Sequence, residues 1–275
     1  MSFNLGNGLS VTDPNYSSEL NYQMFDTASG FPSTVDKYEF SWTWRVAAVD
    51  GTPRTPETVG TTTGHILYTL LDSPDSFYFK SYEETGVPWT DVLDLACDWA
   101  SEETSYSACM SKLTQSLYDY SELKYTPSDS GHGAGNMFYL QKLLNDINAQ
   151  SPTFANCVAY ANFLNILAYS IGIPQSVAGY IQLKANFATK TILPAQWANP
   201  DSFNWGLHQI VNFYDETQWA DRIADAAAKV YDNGGLILAK GDMAYNDYLP
   251  KLTDDGSVYM DPASVRVQTW VYIVP

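Results

Sequence analysis

The clearest pattern in the chain is a run in which apolar side chains fill almost every position, from Cys157-Val-Ala-Tyr-Ala-Asn-Phe-Leu through Asn-Ile-Leu-Ala-Tyr-Ser to Ile-Gly-Ile-Pro174. A helix that is apolar on every face has to be buried all round. Gly172 and Pro174 are the stop signals that close it. Elsewhere the apolar positions alternate. Tyr38–Val46 and Gly64–Leu71 read as strands, with a turn-rich loop over Asp50-Gly-Thr-Pro-Arg-Thr-Pro between them. Residues Asp91–Ala100 read as a helix with Thr90 as N-cap, and apolar positions at 106, 109, 110, 113 and 117 predict a second over Ser105–Tyr120. A flexible glycine-rich loop, Ser128–Gly135, then leads to a third helix over Phe138–Ile147. After the apolar run, Gln175–Leu183 and Leu207–Tyr214 read as strands, followed by a turn and a returning segment. The fold class expected is α+β, with helices on an antiparallel sheet. The division expected is a β-rich N-terminal region over 1–85 and a mixed domain over 86–275. No internal repeat or low-complexity tract is visible.

Composition narrows the function classes. The chain has 275 residues, enough for a sizeable core, and 45% of them are hydrophobic. With 14 Lys+Arg against 31 Asp+Glu its net charge is −17, which argues against nucleic acid or an anionic membrane surface as partner. No apolar run reaches the roughly 20 residues that cross a bilayer. The first residues carry neither a basic start nor an apolar stretch, so the default expectation is cytoplasmic, with export left open where a leader has been removed. The oligomeric state is left open.

The three cysteines are Cys97, Cys109 and Cys157. None belongs to a CxxC pair or a Cys/His cluster, so no metal site is expected, and no cofactor. Cys97 and Cys109 read as small buried hydrophobes, with a disulfide between them as the alternative. Cys157 is different, because it opens the apolar helix. The first-turn N–H groups have no partner within the helix, and the helix dipole places partial positive charge there; both favour thiolate, the nucleophilic form. His208, one of three histidines, lies on the later strand Asn204-Trp-Gly-Leu-His-Gln-Ile-Val. An imidazole can take the thiol proton near neutral pH and return one to a leaving amine. His65 and His132 are its rivals, the first in the β-rich region and the second ahead of the cysteine.

The segment from Cys157 to Pro174, with Ala161 four residues after the cysteine and Gly172-Ile173-Pro174 at the helix end, resembles the core of the transglutaminase-like superfamily. Members share a papain-like Cys–His–Asp arrangement. The resemblance implies Cys157 as nucleophile, His208 as its partner, and an Asp on the strand after the histidine, close to an aromatic. Trp219 and the run Asp221-Arg-Ile-Ala-Asp225-Ala-Ala fit that region, and Asp225 is preferred to Asp221. An extended return from the turn should bring the Asp225 carboxylate within about 2.6–3.2 Å of the His208 nitrogen that faces away from the cysteine. The chain departs from the family pattern where Ala155-Asn156 replaces a glycine before the cysteine and Gln209-Ile210-Val211 follows the histidine in place of Trp and Glu. The stretch Thr61-Thr-Thr-Gly-His-Ile-Leu-Tyr looks like a β layer that precedes such cores in some bacterial members.

What the resemblance implies about activity is thiol-dependent acyl transfer at an amide or peptide carbonyl, as a cysteine peptidase or amidase, or as a glutamine acyltransferase. The substrate would be a protein or peptide. The oxyanion hole would include the Cys157 N–H, with a side-chain donor from Gln150 or Trp205. The alternative is a non-catalytic binding or structural module on the same fold.

Overall fold

The computed structural model describes residues 2–4, 10–12, 33–46, 57–72, 89–128, 131–134, 137–149, 152–215, 220–253 and 272–273. The architecture is mixed α+β, with helices packed against several sheets. Strands β1 (Ser2–Asn4), β2 (Ser10–Thr12), β3 (Asp36–Val46) and β4 (Glu57–Thr69) form an antiparallel sheet in the order β2-β1-β3-β4. The two strands read from sequence are thus present and longer than their alternating cores. The loop over 50–56 lies outside the described residues.

Two helices follow, α1 (Thr90–Trp99) and α2 (Tyr106–Asp119). Helix α2 begins as expected: Ser105 caps it, its side chain accepting from the Ala108 N–H at 3.3 Å. Helix α1 does not. Thr90 is its first helical residue, and Trp89 stands at the cap with no side-chain hydrogen bond to the helix. The Trp89 carbonyl accepts from the N–H groups of Val92 and Leu93 while its indole is buried, so packing rather than a polar cap fixes this helix start.

Strands β5 (Leu123–Tyr125), β6 (Gly133–Ala134) and β7 (Met137–Phe138) lead to α3 (Leu140–Ala149). The third helix therefore begins after Phe138, because residues 137–138 pair with β6 and, in parallel, with β16 (Tyr272–Ile273). Strand β8 (Thr153–Ala155) pairs in parallel with β5 and runs into α4 (Cys157–Ser170).

Every residue of α4 is buried, as a helix apolar at most positions on every face requires. Around it lie α1 and α2, strand β8, and the sheet formed by β9 (Ala178–Ala188), β11 (Asn204–Asp215), β12 (Ala220–Ala224) and β15 (Lys240–Ala244), ordered β15-β12-β11-β9 and antiparallel throughout. A second sheet is made of β10 (Ile192–Pro194), β13 (Ala228–Asp232) and β14 (Gly235–Ile237), and α5 (Tyr245–Leu252) packs beside β12, β13 and β15. Two tyrosine hydroxyls inside this core find partners: Tyr160 donates to the Leu123 carbonyl at 2.7 Å and Tyr169 to that of Ala178 at 2.9 Å. No helix among the described residues is long and apolar enough to cross a membrane.

The end of α4 does two things at once. Gly172 adopts φ +91°, the Ile173 N–H reaches back to the Ala168 carbonyl at 3.0 Å, and the Gly172 N–H reaches Tyr169 at 3.2 Å, the paired bonds of a Schellman cap. The same turn receives the N-terminal sheet, for Leu71 donates to the Ile171 carbonyl at 3.1 Å just after β4 ends. A Cβ on Gly172 would lie 2.3 Å from the backbone oxygen of Asp72. Gly172→Ala should therefore lose more than about 2 kcal/mol of stability through left-handed strain and overpacking, measured by urea unfolding. Gly179→Ala, where an added Cβ meets nothing within 4 Å, is the control and should be close to neutral.

Candidate active site

Asn156 stands just before α4 with an extended backbone, and its side chain accepts from the Ala159 N–H at 3.1 Å. That cap places Cys157 as the first helical residue, above the unpaired N–H groups of the first turn. Asn156 thus makes the helix start. Cys157 retains 6% of its surface in solvent, and its Sγ donates to the Leu207 carbonyl at 3.8 Å. This contact ties the helix start to β11 one residue before His208.

His208 sits in the middle of the sheet, opposite Leu183 of β9, and is 0% exposed. Strand β12 returns alongside β11 with Val211 opposite Ala224 and Tyr214 opposite Asp221. Continuing this register by one residue sets Asp225 opposite Ile210, one alternation from His208, and the two side chains meet: Nε2 lies 2.9 Å from Asp225 Oδ2. The expected distance for that pair is the one observed. Asp221 is elsewhere, accepting from Asn212 Nδ2 at 3.3 Å. Trp219 and Gln150 lie outside the described residues.

The carboxylate is held from several sides. Asp225 Oδ1 accepts from the Ala227 N–H at 2.9 Å, its own N–H donates to the Ala239 carbonyl at 2.9 Å, and Tyr248 of α5 donates its hydroxyl to Oδ2, the oxygen that also faces His208. Tyr248 is fully buried. It was not read from the sequence as a site residue; the only signal for it is the i,i+4 pair Tyr248/Leu252 in a polar segment containing Pro250.

Electrostatics follow from this packing. Burial opposes a charge on His208, but the Asp225 carboxylate and then the Cys157 sulfur outweigh it and raise the imidazole to about 10. With Nε2–H donating to Asp225, the other nitrogen, Nδ1, is left to exchange a proton. It is buried without an ordinary hydrogen-bond partner among the described residues, and Cys157 is the second side chain that acts on the ring. Burial and then Asp225 also push the Tyr248 hydroxyl well above its ordinary value, so it remains a donor.

Trp205 covers the imidazole, with ring centroids 4.2 Å apart and planes at 23°. Its Nε1 is buried and makes no hydrogen bond among the described residues, which leaves a donor available on the ring that covers the imidazole. The remaining histidines and cysteines are placed differently. His132 pairs with Asp146 at 2.9 Å, and that carboxylate also takes Lys142 at 2.7 Å. His65 is in β4, and its side chain lies outside what the structure describes. Cys97 and Cys109 are unpaired and wholly buried, and burial first of all pushes each thiol up to about 12. Among the described residues no group of three or more His, Cys, Asp or Glu side chains is placed to hold a metal ion.

In comparisons with known proteins, no family model matches the sequence and no curated protein matches it.

The buried pair makes a pH prediction. A histidine raised in the folded state adds stability that is complete below its ordinary value of 6.5 and is lost as pH rises through about 10. Relative to His208→Gln, the native chain should therefore hold its largest advantage below pH 6.5 and lose it progressively toward pH 10. Urea titrations of both proteins across that range measure it; an advantage that grows with pH would contradict the charge pairing.

Proposed function

We propose that the chain is a thiol-dependent acyl-transfer enzyme on a papain-like, transglutaminase-like fold, with Cys157, His208 and Asp225 as its catalytic residues. The observation that carries the reading is the fully buried His208–Asp225 pair, 2.9 Å apart, whose imidazole is also acted on by a cysteine at the first position of the central helix. Burying an ionisable pair is costly, and a fold that needed only a core there would be as stable or more so with apolar side chains of similar volume. Grouping of perturbed titratable side chains is characteristic of functional sites.

The chemistry follows from the atoms. In the reactive pair the proton rests on His208 Nδ1, since the imidazole is held in its charged form beside Asp225, and Cys157 attacks an amide carbonyl carbon as the thiolate. The carbonyl oxygen becomes the oxyanion, with the Cys157 N–H and the idle Trp205 Nε1 as donors toward it. Collapse of that intermediate breaks the C–N bond, and the imidazolium gives its proton to the departing amine. The thioester that remains is resolved by water or by a primary amine, giving hydrolysis or transamidation. Asp225, itself held by Tyr248 and Ala227, keeps the imidazole oriented and stabilises its charged form. No cofactor takes part, and a peptide or protein amide is the substrate class.

The near-complete burial of Cys157 and His208 favours one other reading, in which the trio is an inert core element of a binding module. Reactivity separates the two. Iodoacetamide at neutral pH should modify Cys157 ahead of Cys97 and Cys109, whose thiols are held up near 12. His208→Ala should slow that modification by at least about tenfold while circular dichroism shows an intact fold. A labelling rate at Cys157 no greater than that of the two core cysteines, or one indifferent to His208, would leave the inert reading.

A further inference from the structure

A cleft of about 470 Å³ is lined by Lys124, Tyr125, Phe154, Trp197, Pro200 and Asp201, among others, with neither Cys157 nor His208 in its lining. Its position is set by the chain. Phe154 precedes Cys157 by three residues on β8, so extended backbone limits their separation to roughly 10 Å. On the neighbouring strand Tyr125 packs against Trp205 with centroids 6.2 Å apart, and Trp205 lies on His208. The Trp205 ring thus lies between the Tyr125 wall of the cleft and the imidazole.

The lining has the properties of a recognition surface. Strand β8 alternates buried, exposed, buried, and the exposed residue is Phe154, at 51%. Half of that ring is left in solvent on a strand whose neighbours are wholly buried. Trp197, which also lines the cleft, is fixed: its Nε1 donates to the Tyr125 carbonyl at 2.9 Å, and its ring packs edge-on to Phe203 at 5.4 Å. Tyr125 is wedged between Tyr160 and Trp205. These walls are already ordered, so binding there loses little conformational freedom. A volume of this size accepts a large planar side chain with adjoining backbone. Lys124 and Asp201 both line the cleft and offset one another, so the bias against an acidic occupant rests on the chain's net charge of −17.

We propose that this cleft is the subsite for an aromatic side chain of the acyl-donor peptide, one to three residues from the amide that Cys157 attacks. The proposal rests on the thiol-enzyme reading above and names its substrate class: peptides with Phe, Tyr or Trp near the reacting carbonyl. Phe154 is then a specificity residue, and Trp197 and Tyr125 form the rest of the surface it completes.

Peptidyl acyloxymethyl ketones, in which the thiolate displaces the carboxylate and forms a thioether, test this directly. They are prepared with Phe, Ala or Asp at each of the three positions before the ketone, and the rate of Cys157 labelling is followed by intact mass alongside iodoacetamide. Phe at one position should label at least about tenfold faster than Asp there. Phe154→Ala, a change at an exposed site, should abolish most of this preference and leave the iodoacetamide rate unchanged. Equal rates for Phe, Ala and Asp on a protein whose Cys157 reacts with iodoacetamide would overturn the subsite alone, as would a preference that survives Phe154→Ala. A Cys157 inert to iodoacetamide in the native protein would instead overturn the thiol reading, and the subsite with it.

Discussion

Helix α4 has no face that tolerates water, and the rest of the described structure is arranged around that constraint. Fourteen consecutive residues are buried, so the helix has to be covered by α1 and α2, by β8, and by the sheet strands β9 and β11. Its two ends are the places where backbone groups run out of partners, and both are put to use. At the C-terminal end the left-handed Gly172 ties off the carbonyls and admits the backbone of Asp72, which docks the N-terminal sheet. At the N-terminal end Asn156 takes one N–H group and leaves Cys157 at the rim of a mostly apolar interior.

Within that interior His208 and Asp225 stand out as expensive. Neither is exposed by more than 1%, and an ionised carboxylate or imidazolium there survives only through its partners. Asp225 collects its stabilisation from His208, Tyr248 and the Ala227 N–H, three groups brought by a strand, a helix and a turn. The imidazole, for its part, is fixed in plane by the carboxylate and in position by the Trp205 ring above it. Such a site cannot swing into other rotamers without leaving several buried polar atoms unpaired, and this is the preorganisation that acid–base chemistry needs.

Much of this was legible along the chain, for physical reasons. An unbroken apolar run with Gly and Pro at its end has few other readings than a buried helix, so α4 and Cys157 were plain. Period-two alternation located the strand of His208. The choice of Asp225 over Asp221 rested on an extended return, and the register that puts Asp221 opposite Tyr214 follows that reasoning closely. Other features depend on contacts that no local pattern carries. Thr90 has the chemistry of a cap, yet burial of the Trp89 indole moved the helix start back by one position. Phe138 reads as the start of a helix, but with Met137 it is drawn into a strand by partners at 133–134 and 272–273. Tyr248 comes from a polar segment interrupted by proline, and its role exists only where α5 meets the end of β12. Gly172 reads as a helix stop, while its second task, making room for Asp72, belongs to a strand far earlier in the chain.

The central claim is that Cys157, His208 and Asp225 act as one unit, and a double-mutant cycle on the rate of Cys157 alkylation tests it most directly. The four proteins are the native chain, His208→Gln, Asp225→Asn and the pair together, each checked for native circular dichroism. If Asp225 acts through the imidazole, its replacement slows alkylation in the native background and adds nothing once His208 is gone, so the double variant matches His208→Gln. Independent, multiplying effects of the two substitutions, or a rate that neither of them alters, would contradict it.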